Sequence, residues 1–491
     1  MLKLSLPTVD SQKVRRLVIT SAAVAIGIVT ALFNFGEHFG LAALLAVSMV
    51  SVMLAFFFPI WLLTLLLVIV IPTTDAQLAQ TPLLVPGTQL SISYLDPLLF
   101  IIFGLWLIGL ITGQQRFYRS PLNRPLALFL ITIVLAAIMG LFTGARPGDV
   151  WIGLRPSLMY FLVVVTASSL RSGRQVIRFI SVTGLAVLIV AMWGIYLSVT
   201  GQGTAIGTTA GVVAVRNFQG AQSAYLVIGL MSVLGLIMFI QQRSAKLLFV
   251  LIAIILGTAV LLSFIRGNWV GVFVGILFIV LTLPPRARAR FAFSISAAVL
   301  IVLVAISALI FLSPIRAPLL DVARERLFSI FDPSEASQYA ADAAAARSFE
   351  FESGLPQVLE SPMLGHGYGH YFTLEFDRGE FVLVRGFHNS YLTITYTSGV
   401  IGLFAFIWLS GAFLVYSWRL CLCMPHSMER GIVTGLTAAY LAILAASAVN
   451  FYLFDIVNVP PFMGIAMGTV LFLGRQHQTA LRPVSTTMRL S

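Results

Sequence analysis

Apolar runs of about 20 residues recur along this chain from Val18 to Leu473, and that repetition constrains the fold more than any other feature. A run of that length crosses the hydrocarbon core of a bilayer as a helix, because in lipid every backbone N–H and C=O must find its partner within the protein. Only 10% of the 491 residues are charged, against about 25% in a soluble domain. The 12% aromatic and 59% hydrophobic content excludes a disordered chain. The sequence therefore predicts an all-α, polytopic membrane protein.

Fourteen spans are expected, near 17–36, 39–56, 58–73, 97–113, 125–143, 152–170, 178–199, 220–240, 247–265, 267–283, 291–313, 389–417, 431–453 and 459–474. The stretch from Leu17 to Phe33 is too long for a cleaved signal segment, and a second apolar stretch follows at once, so it reads as the first span. An even number of crossings puts both termini on one side, and the basic residues say which. With the N-terminus inside, the inner segments collect Lys3, Lys13, Arg15 and Arg16, then Arg116, Arg119 and Arg124, then Arg171, Arg174 and Arg178. They continue with Arg243 and Lys246, Arg286, Arg288 and Arg290, Arg419 and Arg430, and Arg475, Arg482 and Arg489. Those twenty accompany two acids, Asp10 and Glu429, whereas the outer side carries ten basic and sixteen acidic residues. Removing one span would invert every later loop and destroy the segregation. The expected organisation is a cytoplasmic tail over 1–16, eleven helices over 17–313, a large outer loop over 314–388, which in a bacterium would lie in the periplasm or at the cell exterior, three helices over 389–474 and a cytoplasmic tail over 475–491.

The net charge of +12 is accounted for by this topology signal, so no nucleic-acid partner is expected. Cys421 and Cys423 share one short loop and give neither a disulfide framework nor a four-ligand metal site. In the outer loop, Arg316 to Phe331 reads as an amphipathic stretch lying on the membrane surface. The alanine-rich run from Ala340 to Ala346, continuing through Arg347 and Glu350, favours a helix. Pro362 and the glycines of Gly365-His366-Gly367-Tyr368-Gly369 then break regular structure.

An ionisable group at membrane depth is costly, which makes Arg266 the first candidate site residue. It interrupts two apolar runs in Ser263-Phe264-Ile265-Arg266-Gly267-Asn268, at an outer turn. The plain alternative is a turn residue touching lipid phosphate. Arg216, in Val215-Arg216-Asn217, lies outside just before a span. Arg155, one turn into a span, reads as snorkelling to the outer headgroups. In Arg385-Gly386-Phe387-His388-Asn389-Ser390-Tyr391-Leu392 the outer loop re-enters the membrane. There a neutral imidazole accepts a proton and a side-chain amide orients it or holds a sugar hydroxyl. Asn389 as a helix cap and His388 as an ordinary loop residue stay open beside that reading. His366 and His370 stand four apart, but Gly367 and Gly369 make a helical ligand pair unlikely to form, and no metal or other cofactor is expected.

Arg216, Arg266, Arg347 and Arg385 together with His388 suit one chemistry. Guanidinium forks bind phosphate oxygens bidentately, and several around a diphosphate stabilise it as a leaving group. A carrier of small anions would instead place its charges near the midplane.

Over residues 210–405 the chain resembles the O-antigen ligase and O-antigen polymerase superfamily of bacterial envelope proteins. The resemblance rests on the Ser263–Gly267 turn, the long outer loop and Arg347 upstream of Ser361-Pro362-Met363-Leu364-Gly365-His366-Gly367. It continues through His388-Asn389-Ser390-Tyr391-Leu392 into Ser398-Gly399-Val400-Ile401-Gly402. It implies a metal-independent, inverting glycosyltransferase that moves a glycan from undecaprenyl diphosphate to a hydroxyl of a glycan, lipid or protein acceptor at the periplasmic face. A repeat-unit polymerase is the alternative. It further implies that Arg216 and Arg266 bind the diphosphate, that Arg347 orders the loop or binds donor, and that His388 acts at the acceptor. Arg385, Asn389 and Tyr391 would support them. The chain departs from the family pattern at Phe264-Ile265, where a small polar residue commonly precedes the arginine, and in having fourteen expected spans rather than twelve.

Overall fold

The computed structural model describes residues 59–72, 83–84, 91–92, 95–200, 204–207, 213–216, 218, 220–285, 288–289, 304, 338–375, 381–384, 386–454 and 459–481. The spans expected at 17–36 and 39–56, that at 291–313 apart from residue 304, the tail over 1–16 and the amphipathic stretch 316–331 lie outside the described residues. Within them the chain is helical, in the order α1 (Pro59–Val70), α2 (Leu95–Ile111), α3 (Asn123–Phe142), α4 (Pro147–Leu158), α5 (Leu162–Ser169), α6 (Gly173–Thr200) and α7 (Gly220–Ile237). There follow α8 (Arg243–Leu262), α9 (Arg266–Thr282), α10 (Gln338–Glu360), α11 (Ser390–Cys423), α12 (Met428–Ala446) and α13 (Pro460–Leu481). Three two-stranded antiparallel hairpins decorate the connections: β1 (Leu83–Leu84) with β2 (Ser91–Ile92), β3 (Thr204–Gly207) with β4 (Val213–Arg216), and β5 (Phe372–Glu375) with β6 (Phe381–Val384).

Among the described residues seven helical segments are long and apolar enough to cross a membrane: α3, α4 to α5 taken together over Pro147–Ser169, α6, α7, α8, α11 and α12. α2 and α9 are apolar but shorter. Exposed apolar residues such as Ile131 and Leu135 on α3, Leu247 and Leu251 on α8, Phe273 on α9 and Phe404 on α11 face outward, as lipid contact requires. The chain is a multi-pass membrane protein.

Small residues set how closely the central helices approach. A Cβ on Gly235 of α7 would stand 2.5 Å from the backbone of Gly435 on α12, and one on Gly271 of α9 would stand 2.5 Å from the Ala442 carbonyl of α12. In lipid, where burial of apolar surface drives association weakly, such backbone-to-backbone packing is what holds helices together. α7 and α9 are thereby both fixed to α12.

The span expected over 431–453 is shorter. α12 ends at Ala446, because Ser447 turns its hydroxyl back to the Ile443 carbonyl (2.6 Å) and Asn450 Nδ2 donates to the Ala446 carbonyl (2.9 Å). The N–H groups of Ala448 and Val449 bond three residues back, to Ala445 and Ala446, so the helix tightens and stops. Residues 447–454 form a loop instead.

α11 is bent at Gly399, whose φ of 67 and ψ of −175 lie outside helical values. In an unbroken helix the N–H groups of Val400 and Ile401 would bond to the carbonyls of Tyr396 and Thr397. Here those carbonyls accept from the N–H groups of His366 (2.8 Å) and Gly367 (3.0 Å). The N–H groups of Val400 and Ile401 donate in turn to the carbonyls of Pro362 (2.8 Å) and Met363 (3.5 Å). Two helical hydrogen bonds are thus exchanged for four with the 361–367 loop, which pairs each of those four groups. The same loop is tied to α3 and α4, through Tyr368 N–H to the Ala136 carbonyl (3.1 Å) and through the Tyr368 and Ser157 hydroxyls (2.7 Å). The glycines and Pro362 break regular structure as the sequence predicts, and the break serves this junction.

Candidate functional site

His388 stands just before α11, where Asn389 caps the helix by accepting from the N–H groups of Tyr391 (2.9 Å) and Leu392 (3.2 Å). The cap fixes the entry angle of the chain and so fixes the imidazole. Across from it lies Glu350 of α10, only 7% exposed. One carboxylate oxygen accepts from the His388 N–H at 3.1 Å and faces Nδ1 at 3.1 Å, with the second oxygen 3.3 Å from Nδ1. With Glu350 ionised and the imidazole neutral, Nδ1 would carry the hydrogen and Nε2 would keep its lone pair. The His388 side chain is 49% exposed, and its ring meets Phe451 edge-on at 5.1 Å. The arrangement is a carboxylate-oriented imidazole with its basic nitrogen unclaimed by Glu350.

Arg266 is the first residue of α9. The turn that leads to it contains Phe264 at φ 53, a left-handed value that is rare and strained for an aromatic residue. The departure at Phe264-Ile265 noted from the sequence therefore falls on the one non-glycine residue with positive φ among the described residues. Ile265 precedes Arg266 and offers no capping oxygen.

The loop after α12 joins these places. Ser390, beside His388, bonds through its N–H to the Ser447 carbonyl (3.0 Å) and through its hydroxyl to the Asn450 carbonyl (2.8 Å). Gly267, beside Arg266, packs on Asn450 so closely that a Cβ there would overlap its amide. Tyr452 donates its hydroxyl to Asn268 Oδ1 (3.0 Å) and lies 3.4 Å from Ser223 near the start of α7. The starts of α7, α9 and α11 thus converge on residues 447–454 at one end of the bundle.

Of the other expected site residues, Tyr391 lies on the first turn of α11 and donates its hydroxyl to the Leu444 carbonyl of α12 (2.8 Å). Arg216 ends β4, opposite Thr204 and four residues before α7. Arg347 lies within α10, one turn before Glu350. The side chains of Arg216 and Arg347, and all of Arg385, lie outside the described residues. Glu350 and Tyr452 were not singled out from the sequence. As one of four acids on an alanine-rich helix, Glu350 carries no sign of its partner 38 residues on.

Arg155 does not snorkel to the headgroups: it is 6% exposed and bonds to both Asp96 oxygens, at 3.0 and 3.2 Å. Asp96, 1% exposed on the first turn of α2, also accepts from Trp151 Nε1 (3.3 Å). A neighbouring helix supplies the counter-charge, so the arginine stays at depth. His366 and His370 have separate partners, the Gln357 carbonyl (2.6 Å) and the Thr143 hydroxyl (2.6 Å). Burial, with His366 nearby, holds the His370 imidazole below its ordinary pKa, which suits a neutral hydrogen-bonding role. Among the described residues no three His, Cys, Asp or Glu side chains group as metal ligands.

The site is thus a carboxylate-held histidine and an arginine-headed helix at one end of a multi-span membrane protein. Residues 251–407, about a third of the chain, match the family described as O-antigen ligase. The match spans Arg266, Glu350, His388 and the Gly399 bend. Comparison with the curated proteins gives no match.

Proposed function

We propose that the protein is a metal-independent, inverting glycosyltransferase of the bacterial inner membrane. In this reading it takes a glycan from undecaprenyl diphosphate and transfers it to an acceptor hydroxyl at the periplasmic face, with both of its termini cytoplasmic. The observation that carries the proposal is the Glu350–His388 pair, which leaves His388 Nε2 able to take a proton. The family match supports the substrate class.

The reaction balances without a cofactor. The acceptor O–H gives its proton to Nε2 while its oxygen attacks the anomeric carbon from the face opposite the diphosphate. The carbon–oxygen bond to the diphosphate breaks with its electron pair, and undecaprenyl diphosphate leaves. Arg266 and Arg216 neutralise the charge that collects on it, and Arg347 orders the loop or adds to the same anion site. Arg385 and Tyr391 support the re-entry point, and Asn389 holds it by capping α11.

The test uses purified protein in liposomes with a lipid-diphosphate-linked glycan and candidate acceptors, chelator present. Transfer by the wild type and its loss in His388→Ala, with donor binding retained, is the expected result. Equal loss of transfer and donor binding would assign His388 a structural role. Product length separates the two family activities: one added glycan per acceptor marks a ligase, and a ladder of repeat units on lipid diphosphate marks a polymerase.

A further inference from the structure

Asn268 is 0% exposed, and its side-chain Nδ2 is buried without a hydrogen-bond partner among the described residues. A buried N–H donor left unpaired costs free energy, so such an atom calls for an explanation. Its surroundings supply one. Asn268 is the third residue of α9, a helix of 17 residues that begins at Arg266 and has no side-chain cap. The positive end of the helix dipole, an arginine and an unused amide donor therefore share one turn, which is the set of groups that holds a phosphate oxygen. The amide is not free to rotate. Tyr452, 1% exposed, donates to Oδ1 at 3.0 Å and so aims Nδ2 away from itself. Tyr452 is braced in turn 3.4 Å from Ser223, whose hydroxyl bonds to the Gly220 carbonyl at 2.6 Å. Gly220 opens α7, four residues after Arg216. One buried tyrosine thus ties together the two helix starts that follow the two diphosphate arginines.

We propose that Asn268 is a further donor-binding residue, giving Nδ2 to a phosphate oxygen of the lipid diphosphate, and that Tyr452 is the positioning residue that aims it. This rests on the donor reading above. Both residues were passed over from the sequence, and Tyr452 lies beyond the family-matched stretch 251–407.

The test measures inhibition of glycan transfer by a short-chain prenyl diphosphate that carries no glycan. Asn268→Asp keeps the oxygen that accepts from Tyr452 but removes the N–H donor and adds repulsion. Its inhibition constant and its donor KM are expected to rise together by about tenfold or more, with kcat at saturating donor within about twofold. Tyr452→Phe removes one hydroxyl from a buried ring and is expected to raise both constants several-fold. Unchanged constants in either folded variant, or a fall in kcat and thermal stability alone, would overturn the assignment. Should Asn268→Asp fail to fold, Tyr452→Phe decides by itself. If the wild type transfers glycan but ignores the prenyl diphosphate, the diphosphate reading of Arg266 fails first and takes this inference with it.

Discussion

Glu350 meets His388 at two atoms at once, accepting from its backbone nitrogen and its Nδ1, both at 3.1 Å. The contact joins α10 to the start of α11, so one carboxylate holds both the backbone and the imidazole of His388. Glu350→Gln is therefore expected to act on chemistry more than on binding. A glutamine that turns its N–H toward Nδ1 forces the proton onto Nε2 and removes the base. Transfer should fall by about 10- to 100-fold, less than the roughly 100- to 10,000-fold expected for His388→Ala, since general-base catalysis contributes on that order. Donor KM should stay within about twofold in both, measured in the liposome assay.

Arg266→Ala should weaken the donor instead. A charge-assisted hydrogen bond contributes about 1.5–3 kcal/mol, which corresponds to roughly ten- to hundredfold in affinity. Arg266→Lys should recover only part of it, because an ammonium cannot make the two-pronged contact. Titration with donor checks both; wild-type affinity in Arg266→Ala would remove the arginine from the site.

Gly399→Ala tests the junction between α11 and the 361–367 loop. The left-handed φ alone costs about 1–2 kcal/mol for a residue with a Cβ, and the new methyl would overlap the Met363 carbonyl. The expected outcome is a lowered melting temperature and faster proteolysis within 361–371. An equal substitution at Gly411, whose Cβ would meet nothing within 4 Å, should do neither.

The Asp96–Arg155 pair gives a stability prediction separate from activity. Asp96→Asn leaves a buried arginine without its counter-charge and should cost about 3–5 kcal/mol, seen as a large fall in detergent melting temperature. Replacing both by Asp96→Leu and Arg155→Met should recover most of that loss. Failure of the double variant to recover would mean that the pair also orders the neighbouring loop through Trp151.

The helices were legible because hydropathy over about 20 residues is a strong and local signal. α3, α7, α8 and α9 begin within a few residues of the expected positions. Less legible was where α12 stops, since Ser447 and Asn450 are tolerated inside spans and end the helix only because their side chains compete for its carbonyls. The site was half visible. His388 and Arg266 stand out as polar residues at re-entry points, whereas Glu350, Asn268 and Tyr452 owe their roles to partners far away in the chain. Arg155 reads as a charge one turn into a span, and nothing local points to Asp96 59 residues earlier, so escape to the surface is expected where the fold provides neutralisation.

The bend of α11 bears on biogenesis. In hydrocarbon, the carbonyls of Tyr396 and Thr397 and the N–H groups of Val400 and Ile401 would be intolerable without the partners that residues 361–367 supply. Those partners are synthesised earlier, so the ribosome delivers the brace before the helix that needs it. Membrane insertion of α11 and docking of the preceding segment then form a single, ordered step in making the protein.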